Sequence, residues 1–182
     1  IVAQRRPAAE IIVVDDCSTE GTCDVVRRYP GVTRIEQPHN AGRAAARNVA
    51  ASASHVVVRA ITDADDLWYP DHLERSAAAL ARFPECGIAF SANDRFGRED
   101  DTQRPDFPAN EPLAYRDALL GGNQIHLLTV VIRRNLFEAV GGFDATLRYC
   151  EDYDLWLRCS LYTKAVYTGA VTASYRMHPG QL

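Results

Sequence analysis

The sequence predicts an α/β protein with a Rossmann-like, mostly parallel central sheet flanked by helices. Short runs of apolar, β-branched residues alternate along the chain with segments of helical periodicity, which is typical of βαβ units. The first of these runs is apolar at every position, as expected for a strand buried on both faces. No repeat or domain boundary is visible, so residues 1–182 are expected to form a single domain.

The first half of the chain predicts strands and helices in regular alternation. Strands are expected at residues 11–14, 32–36, 56–61 and 87–91, with helices at residues 25–29, 42–53 and 70–83. Proline is favoured at the first position of a helix, as Pro70 would be. Leu73, Ala77 and Leu80 then fall on one helical face, and Pro84 ends the helix.

The second half begins with a long segment, residues 93–112, that is rich in charge and proline. It is expected to be an irregular, substrate-contacting loop. A strand is expected at residues 127–132 and a helix at residues 134–140, which the paired glycines Gly141 and Gly142 would stop. The last expected elements are a helix at residues 151–161 and strands at residues 165–167 and 171–175.

Composition excludes several classes of protein. The net charge of −4, without a basic stripe, argues against a nucleic-acid partner. Five cysteines without a Cys-x-x-Cys pair argue against a disulfide framework or structural zinc and favour a reducing cytoplasm. No apolar run reaches membrane-spanning length. A cytoplasmic protein is therefore expected, with peripheral association at the inner face of the membrane left open.

Two acidic clusters follow predicted strands. Asp15 and Asp16 end the first run, and Asp63, Asp65 and Asp66 follow the third. Ligands of open α/β sheets bind beyond the carboxyl ends of the strands, where both clusters should lie. Carboxylate oxygens on short turns suit Mg²⁺ or Mn²⁺ shared with substrate phosphates. The alternative for each cluster alone is a solvated turn.

Five blocks of sequence, in order, resemble family 2 glycosyltransferases of the GT-A fold. They read "EIIVVDDCSTEGT", "NAGRAAARN", "TDADDLWYPDHLE", "RRNLFEAVGGFDATLRYCEDYDLWLR" and "YRMHPG", and they span nearly the whole chain. The resemblance implies an inverting hexosyltransferase (EC 2.4) that uses a nucleotide-diphospho-sugar, usually UDP-linked, with Mn²⁺ or Mg²⁺. The implied acceptor is a hydroxyl of a cell-surface glycan or a lipid-linked precursor.

The resemblance also implies roles for the acids of the first half. Asp16 would meet the edge of the nucleobase, and Asp15 would support the strand end. Asp63 would hold the ribose close to the metal, and Asp65 would bind the metal that bridges the diphosphate. Asp66 is interpreted instead as a turn residue beside the start of the next helix.

Further nucleotide contacts are implied by two other blocks. Asn40, Gly42 and Arg47 match the block whose helix start approaches the nucleotide, where free N–H groups favour phosphate. Arg176 would neutralise phosphate charge from the last block. His178, two residues later, either ligates the metal or is merely structural.

The Glu-Asp pair of the fourth block is implied to supply the catalytic base, which here is Asp152. Glu151 beside it would raise the pKa of Asp152 by repulsion between like charges. The structural alternative is that both acids only place negative charge at a helix amino terminus. Asn123 and His126 carry a weaker prediction of acceptor contact.

The resemblance divides the domain into a nucleotide-sugar half, residues 1–92, and an acceptor and catalytic-base half, residues 93–182. Family members begin with a strand that bears a Pro-x-Tyr/Phe-Asn motif, and this block is not in the sequence. An N-terminally truncated sheet is therefore expected. Two alternatives to a transferase are a sugar-phosphate nucleotidyltransferase and an inactive domain that only binds nucleotide or packs against a partner.

Overall fold

The computed structural model describes residues 1–97 and 101–178, and within them it forms nine strands, six α-helices and one 3₁₀ turn. The strands are β1 (Ile11–Asp15), β2 (Val32–Glu36), β3 (Val58–Ala60), β4 (Leu67–Trp68), β5 (Cys86–Phe96), β6 (Thr102–Gln103), β7 (Pro112–Leu113), β8 (Val131–Arg133) and β9 (Lys164–Arg176). The helices are α1 (Thr22–Val26), α2 (Arg43–Ala53), α3 (His72–Arg82), α4 (Arg116–Leu120), α5 (Arg134–Ala139) and α6 (Glu151–Cys159), and the 3₁₀ turn covers Leu127–Thr129. The predicted alternation of strands and helices is confirmed in outline. Two expectations are wrong: residues 93–112, expected to be irregular, contain the end of β5 and the strand β6, and residues 127–129, expected to be part of a strand, form the 3₁₀ turn.

The sheet is mixed rather than mostly parallel. Its main part has the order β3-β8-β5-β9-β4, with β6 beside β5 and β7 beside β9, while β1 and β2 form a separate parallel pair. β5 and β9 are also parallel, and the other pairings between these strands in the described residues are antiparallel. The antiparallel partners are mostly strands of two or three residues, too short for an apolar run to indicate their direction.

The first strand is less buried than its apolar run predicts. Residues 11–14 are half-buried, and only Asp15 of β1 is buried. β1 pairs with β2 along one edge, and α2 packs against it. A strand that is paired on one edge only keeps part of its surface open, which explains the difference from the prediction.

The two late strands predicted from sequence are one long strand, β9. Its register against β5 shifts between the Phe90–Tyr167 and Ala92–Val171 pairs, where Gly169 takes a positive φ of 72°. This bulge keeps the strand in the sheet through to Arg176. The end of β9 is thereby carried to the turn that precedes β4.

The core lies between the main sheet and the helices that follow it. Trp156 of α6 is fully buried, and its indole Nε1 donates to Ile125 O at 3.0 Å. Burial of a large aromatic ring with a satisfied N–H fixes the rotation of the helix. The first turn of α6, which carries Glu151 and Asp152, is oriented by this packing. No helix in the described residues is long and apolar enough to cross a membrane.

The paired glycines before α6 differ in what surrounds them. Gly142 has a φ of 69°, and a Cβ built there would lie 2.8 Å from Asn48 Oδ1 and 3.1 Å from the Phe137 ring. Asn48 of α2 cannot easily move, because it donates to Phe143 O and accepts from Phe143 N. Gly141 has a φ of 85°, and no atom of the residues that the structure describes, its chain neighbours aside, lies within 4 Å of its built Cβ.

We expect Gly142→Ala to lower the free energy of unfolding by about 3 kcal/mol, through backbone strain and the clash together. Gly141→Ala is the matched control, and it should cost only the strain of about 1 kcal/mol. Chemical denaturation of both variants measures the difference. Equal losses would show that contact with Asn48 does not matter.

Candidate active site

The carboxylate of Asp15 closes the turn that follows β1. Ser18 N donates to its Oδ1 at 3.0 Å, and Cys23 Sγ donates to its Oδ2 at 2.8 Å. These hydrogen bonds, the one from Cys23 first, lower the pKa of Asp15. Asp15 therefore stabilises the turn at the end of β1.

Asp16 holds the loop that leads from β2 to α2. Its Oδ1 accepts from Ala41 N at 2.7 Å and from Gln37 Nε2 at 2.8 Å, and its Oδ2 accepts from Gly42 N at 2.8 Å. Asn40 Nδ2 donates to the Asp16 carbonyl at 3.1 Å. Three of the predicted nucleotide-binding residues, Asp16, Asn40 and Gly42, are thus in direct contact. The amide of Gly42 at the start of α2 is used by Asp16.

An open cleft of about 380 Å³ lies beside this loop. Its walls are Asp16, residues 40–44 and residues 145–148. Its size is within the range of roughly 300–1,000 Å³ that is usual for small-molecule sites. The cleft places main-chain groups and the arginines at positions 43 and 148 around one space.

Arg47 joins the first acid of the Asp-x-Asp motif to the Glu-Asp pair. Its Nη2 donates to both carboxylate oxygens of Asp63, at 2.7 and 2.8 Å, and its Nη1 donates to Glu151 Oε1 at 2.6 Å. The side chains of Arg47 and Glu151 are 9% and 6% exposed, whereas that of Asp63 is 40% exposed. Burial lowers the pKa of Arg47, but the two carboxylates outweigh it and raise the pKa overall. Arg47 is therefore a cation that two acids hold inside the protein.

The end of β9 meets the acidic turn before β4. Arg176 Nε donates to Asp65 O at 2.9 Å, and Arg176 N donates to Asp66 Oδ1 at 3.0 Å. His178 Nε2 lies 3.1 Å from Asp65 Oδ2. Burial raises the pKa of Asp66 to about 7, against the lowering effect of the Arg176 amide, and the charges of Asp65 and Asp63 add to the rise. Negative charge is concentrated at this edge of the sheet.

The predicted metal ligands are only partly assembled. Asp65 and His178 converge, but Asp63 turns both of its oxygens to Arg47. Among the described residues no group of three or more His, Cys, Asp or Glu side chains is arranged to hold a metal ion. One carboxylate and one imidazole suit a cation that takes its other ligands from water and phosphate oxygens, as Mg²⁺ and Mn²⁺ do.

Asp152 follows Glu151, the residue that pairs with Arg47. Asn123 Nδ2 donates to its Oδ2 at 3.3 Å, and Tyr153 N donates to its Oδ1 at 2.7 Å. Burial is the main cause that raises the pKa of Asp152, and Glu151 adds to the rise by repulsion. The predicted effect of Glu151 is present but is not the largest.

Glu151 and Asp152 also occupy the first turn of α6, as the structural alternative predicted. A role at the helix amino terminus and a role in the active site are compatible. An acid in the first turn interacts favourably with the helix dipole even when it also pairs with another residue. Glu151 is held in a buried pair with Arg47, whereas Asp152 is in no ion pair with any of the described residues.

Sequence reasoning missed two residues of this site. Arg43 Nε lies 3.6 Å from Glu151 Oε1, and its Nη2 donates to Arg148 O at 3.3 Å. Asp66 is not part of the start of α3, whose N-cap is Asp71, and instead binds β9. Local sequence patterns such as i, i+4 spacing could not have predicted the contacts of Arg43 or Asp66, because the partner of each lies more than 100 positions away along the chain.

Comparison with known proteins gives a family. The model of "Glycosyl transferase family 2" matches residues 1–141, which is most of the chain. TuaG of Bacillus subtilis is 31% identical over 162 residues, covering 86% of this chain. The Escherichia coli "UDP-Glc:alpha-D-GlcNAc-diphosphoundecaprenol beta-1,3-glucosyltransferase WfaP" is 28% identical over 186 residues, covering 100% of this chain and 70% of WfaP. The chain spans 62% of TuaG and 48% of the succinoglycan biosynthesis protein ExoU of Rhizobium meliloti.

Solved structures confirm the predicted GT-A fold. Staphylococcus aureus TarS 1-349, in complex with UDP-GlcNAc, has a TM-score of 0.84 at 20% identity, covering 99% of this chain and 53% of TarS 1-349. The mannosyltransferase PcManGT from Pyrobaculum calidifontis, in complex with GDP-Man and Mn²⁺, has a TM-score of 0.74 at 22% identity, covering 98% of this chain and 51% of PcManGT.

Proposed function

Because the chain belongs to glycosyltransferase family 2, we propose that it transfers a sugar from a UDP-linked donor to a hydroxyl of a glycan or lipid-linked acceptor, with inversion at the sugar carbon. The observation that carries the proposal is the Arg47 bridge between Asp63 and Glu151. It holds the Asp-x-Asp motif and the Glu-Asp pair against one buried cation. The acids expected to act on donor and acceptor therefore belong to one site.

The donor diphosphate is assigned to the edge formed by Asp65, Arg176 and His178. Asp65 and His178 would hold a divalent cation, Mn²⁺ or Mg²⁺, which supplies charge stabilisation to the departing diphosphate. The Arg176 guanidinium lies beside the same turn and suits a phosphate oxygen. Asp63, fixed by Arg47, keeps a partly exposed carboxylate that would accept from the ribose hydroxyls.

Asp152 is assigned as the general base. The acceptor hydroxyl must lose its proton as its oxygen attacks the sugar carbon, and an elevated carboxylate pKa strengthens the base. Asn123 orients the carboxylate from one side and Tyr153 N from the other. Attack on the face opposite the leaving diphosphate inverts the configuration, since no protein nucleophile intervenes.

The names of related proteins support the substrate class. The WfaP name gives UDP-Glc as donor and a diphosphoundecaprenol-linked acceptor, and TarS has been crystallised with UDP-GlcNAc. PcManGT carries Mn²⁺. The lipid-linked acceptor in the WfaP name supports our proposal that the protein is a peripheral enzyme at the cytoplasmic face of the membrane. Residues 1–92 supply the nucleotide pocket and residues 93–182 the base, with the end of β9 reaching back to the donor side.

Asp65→Ala should abolish the effect of metal on nucleotide binding. With Mn²⁺ present, we expect UDP affinity to fall by about a hundredfold, because loss of a metal ligand costs at least as much as loss of a residue that supports one. Isothermal calorimetry with UDP measures the affinity. Asp117→Ala, at an exposed site on α4, is the matched control and should bind as the wild type does.

If the Asp65 variant binds UDP in a Mn²⁺-dependent way with unchanged affinity, the metal assignment is wrong. A fall in affinity that is equally large in EDTA would assign Asp65 to the nucleotide rather than to the metal.

A further inference from the structure

A second pocket has a volume of about 140 Å³. It lies between the end of β5 and the segment that precedes the 3₁₀ turn. Asn123 belongs to its wall and donates to Asp152 Oδ2 at 3.3 Å. The wall is therefore one hydrogen bond from the proposed base. The pocket is smaller than the sites of roughly 300–1,000 Å³ that enclose drug-sized ligands, so it suits a single sugar residue.

The histidine in this wall has a defined tautomer. His126 Nδ1 lies 2.8 Å from Asn93 Oδ1, and Asn93 Nδ2 donates to Asp94 O at 3.1 Å. The amide orientation of Asn93 makes its Oδ1 the acceptor, so His126 Nδ1 carries the proton. Burial lowers the pKa of His126, which keeps the ring neutral. His126 Nε2 is then a hydrogen-bond acceptor, suited to a hydroxyl of a ligand.

The amides in the wall are also held in defined orientations. Gln124 Oε1 accepts from Asp106 N at 3.0 Å, so its Nε2 remains as a donor. Gln103 Nε2 donates to Asp101, so its Oε1 remains as an acceptor. A mixture of fixed donors and acceptors around one pocket matches a ligand with several hydroxyl groups.

The described residues that line the pocket carry positive charge only. Arg104 is the only charged residue among the described residues that line the pocket, and no carboxylate lines it. Arg104 is exposed and makes no hydrogen bond or ion pair with any residue in the part of the chain that the structure describes. The nearby acid Asp101 is paired instead with Arg95, at 3.7 Å. A guanidinium without a partner beside fixed amides suits a carboxylate or phosphate group.

We propose that this pocket binds the acceptor as an acidic sugar. The hydroxyl groups of the sugar ring contact His126 and Gln124, and its carboxylate or phosphate group pairs with Arg104. Asn93 acts as a positioning residue, because it fixes the tautomer of His126. The inference deepens the proposed function, on which it rests, by naming the class of acceptor.

Binding of three probes to the 182-residue chain tests the proposal: methyl glucuronide, glucose 6-phosphate and the neutral methyl glucoside. Ligand-observed NMR gives each dissociation constant. We expect at least one anionic sugar to bind about tenfold more tightly than methyl glucoside, as one charge-assisted hydrogen bond provides. Arg104→Gln should reduce this preference to about twofold or less, whereas Arg28→Gln, at an exposed site outside the pocket, should keep it.

The preferred probe identifies a carboxylate or a phosphate as the group recognised. Equal binding of charged and neutral sugars by the wild type, or a preference that survives in Arg104→Gln, would overturn the proposal. UDP is titrated into the same samples, so that failure of the acceptor proposal can be distinguished from failure of the proposed function. Intact UDP binding without a sugar preference defeats the acceptor class alone, and absent UDP binding counts against the proposed function.

Discussion

Replacing Asp152 by Asn is expected to lower the turnover of sugar transfer by about a thousandfold while leaving UDP affinity within about twofold. The amide is close in shape to the carboxylate and can keep the Tyr153 amide as a donor to its Oδ1. It cannot take the proton of the acceptor hydroxyl. Turnover is measured as UDP release with an acceptor, and binding by calorimetry.

Asp154→Asn is the matched control on the same helix. Asp154 pairs with Arg158 at 2.6 Å and is 34% exposed, so its neutralisation should change turnover by less than about threefold. Full transfer by the Asp152 variant would move the base elsewhere. Glu151 is poorly placed for that role, because it is buried against Arg47.

Arg47→Met is expected to lower the free energy of unfolding by about 3 kcal/mol or more. The substitution leaves Glu151, only 6% exposed, as a buried carboxylate that has lost its closest cation. Asp63 would lose its bidentate partner at the same time. Urea denaturation of the variant and the wild type gives the change.

Two controls separate the buried pair from general charge effects. Arg43→Met removes a 43%-exposed arginine that lies 3.6 Å from the same glutamate, and its cost should stay below about 1 kcal/mol. The double variant Arg47→Met/Glu151→Gln should recover part of the loss, since it no longer leaves a buried, unpaired carboxylate at position 151. If Arg47→Met and Arg43→Met cost the same, the buried bridge is not the element that organises the site.

Local sequence could predict those parts of the fold that depend on residues close together in the chain. Apolar runs predicted β1, β2, β3 and β5, and the acids Asp15 and Asp63 lie at the end of β1 and just after β3, as the sequence indicated. Strand direction did not follow, because pairing depends on contacts between distant segments. The half-buried state of β1 was not predictable for the same reason, since it depends on which strands pair with β1.

The site was predictable residue by residue only where a motif carried it. The resemblance brought together Asp65 with His178, and Asp16 with Gly42, and the structure places each pair in contact. It assigned Arg47 to the nucleotide, whereas the structure turns this arginine to Glu151, 104 positions along the chain. No period or spacing in the sequence reports a contact at that separation. The contact of His126 with Asn93, which fixes the tautomer of the histidine, was equally unpredictable from the sequence.

The most direct test of the account is a calorimetric titration of UDP into the 182-residue chain, first with Mn²⁺ and then with excess EDTA. A metal-dependent sugar-nucleotide site predicts saturable binding with one UDP per chain in Mn²⁺ and its loss in EDTA. Binding that EDTA leaves unchanged, or no binding in a sample that circular dichroism shows to be folded, would contradict it.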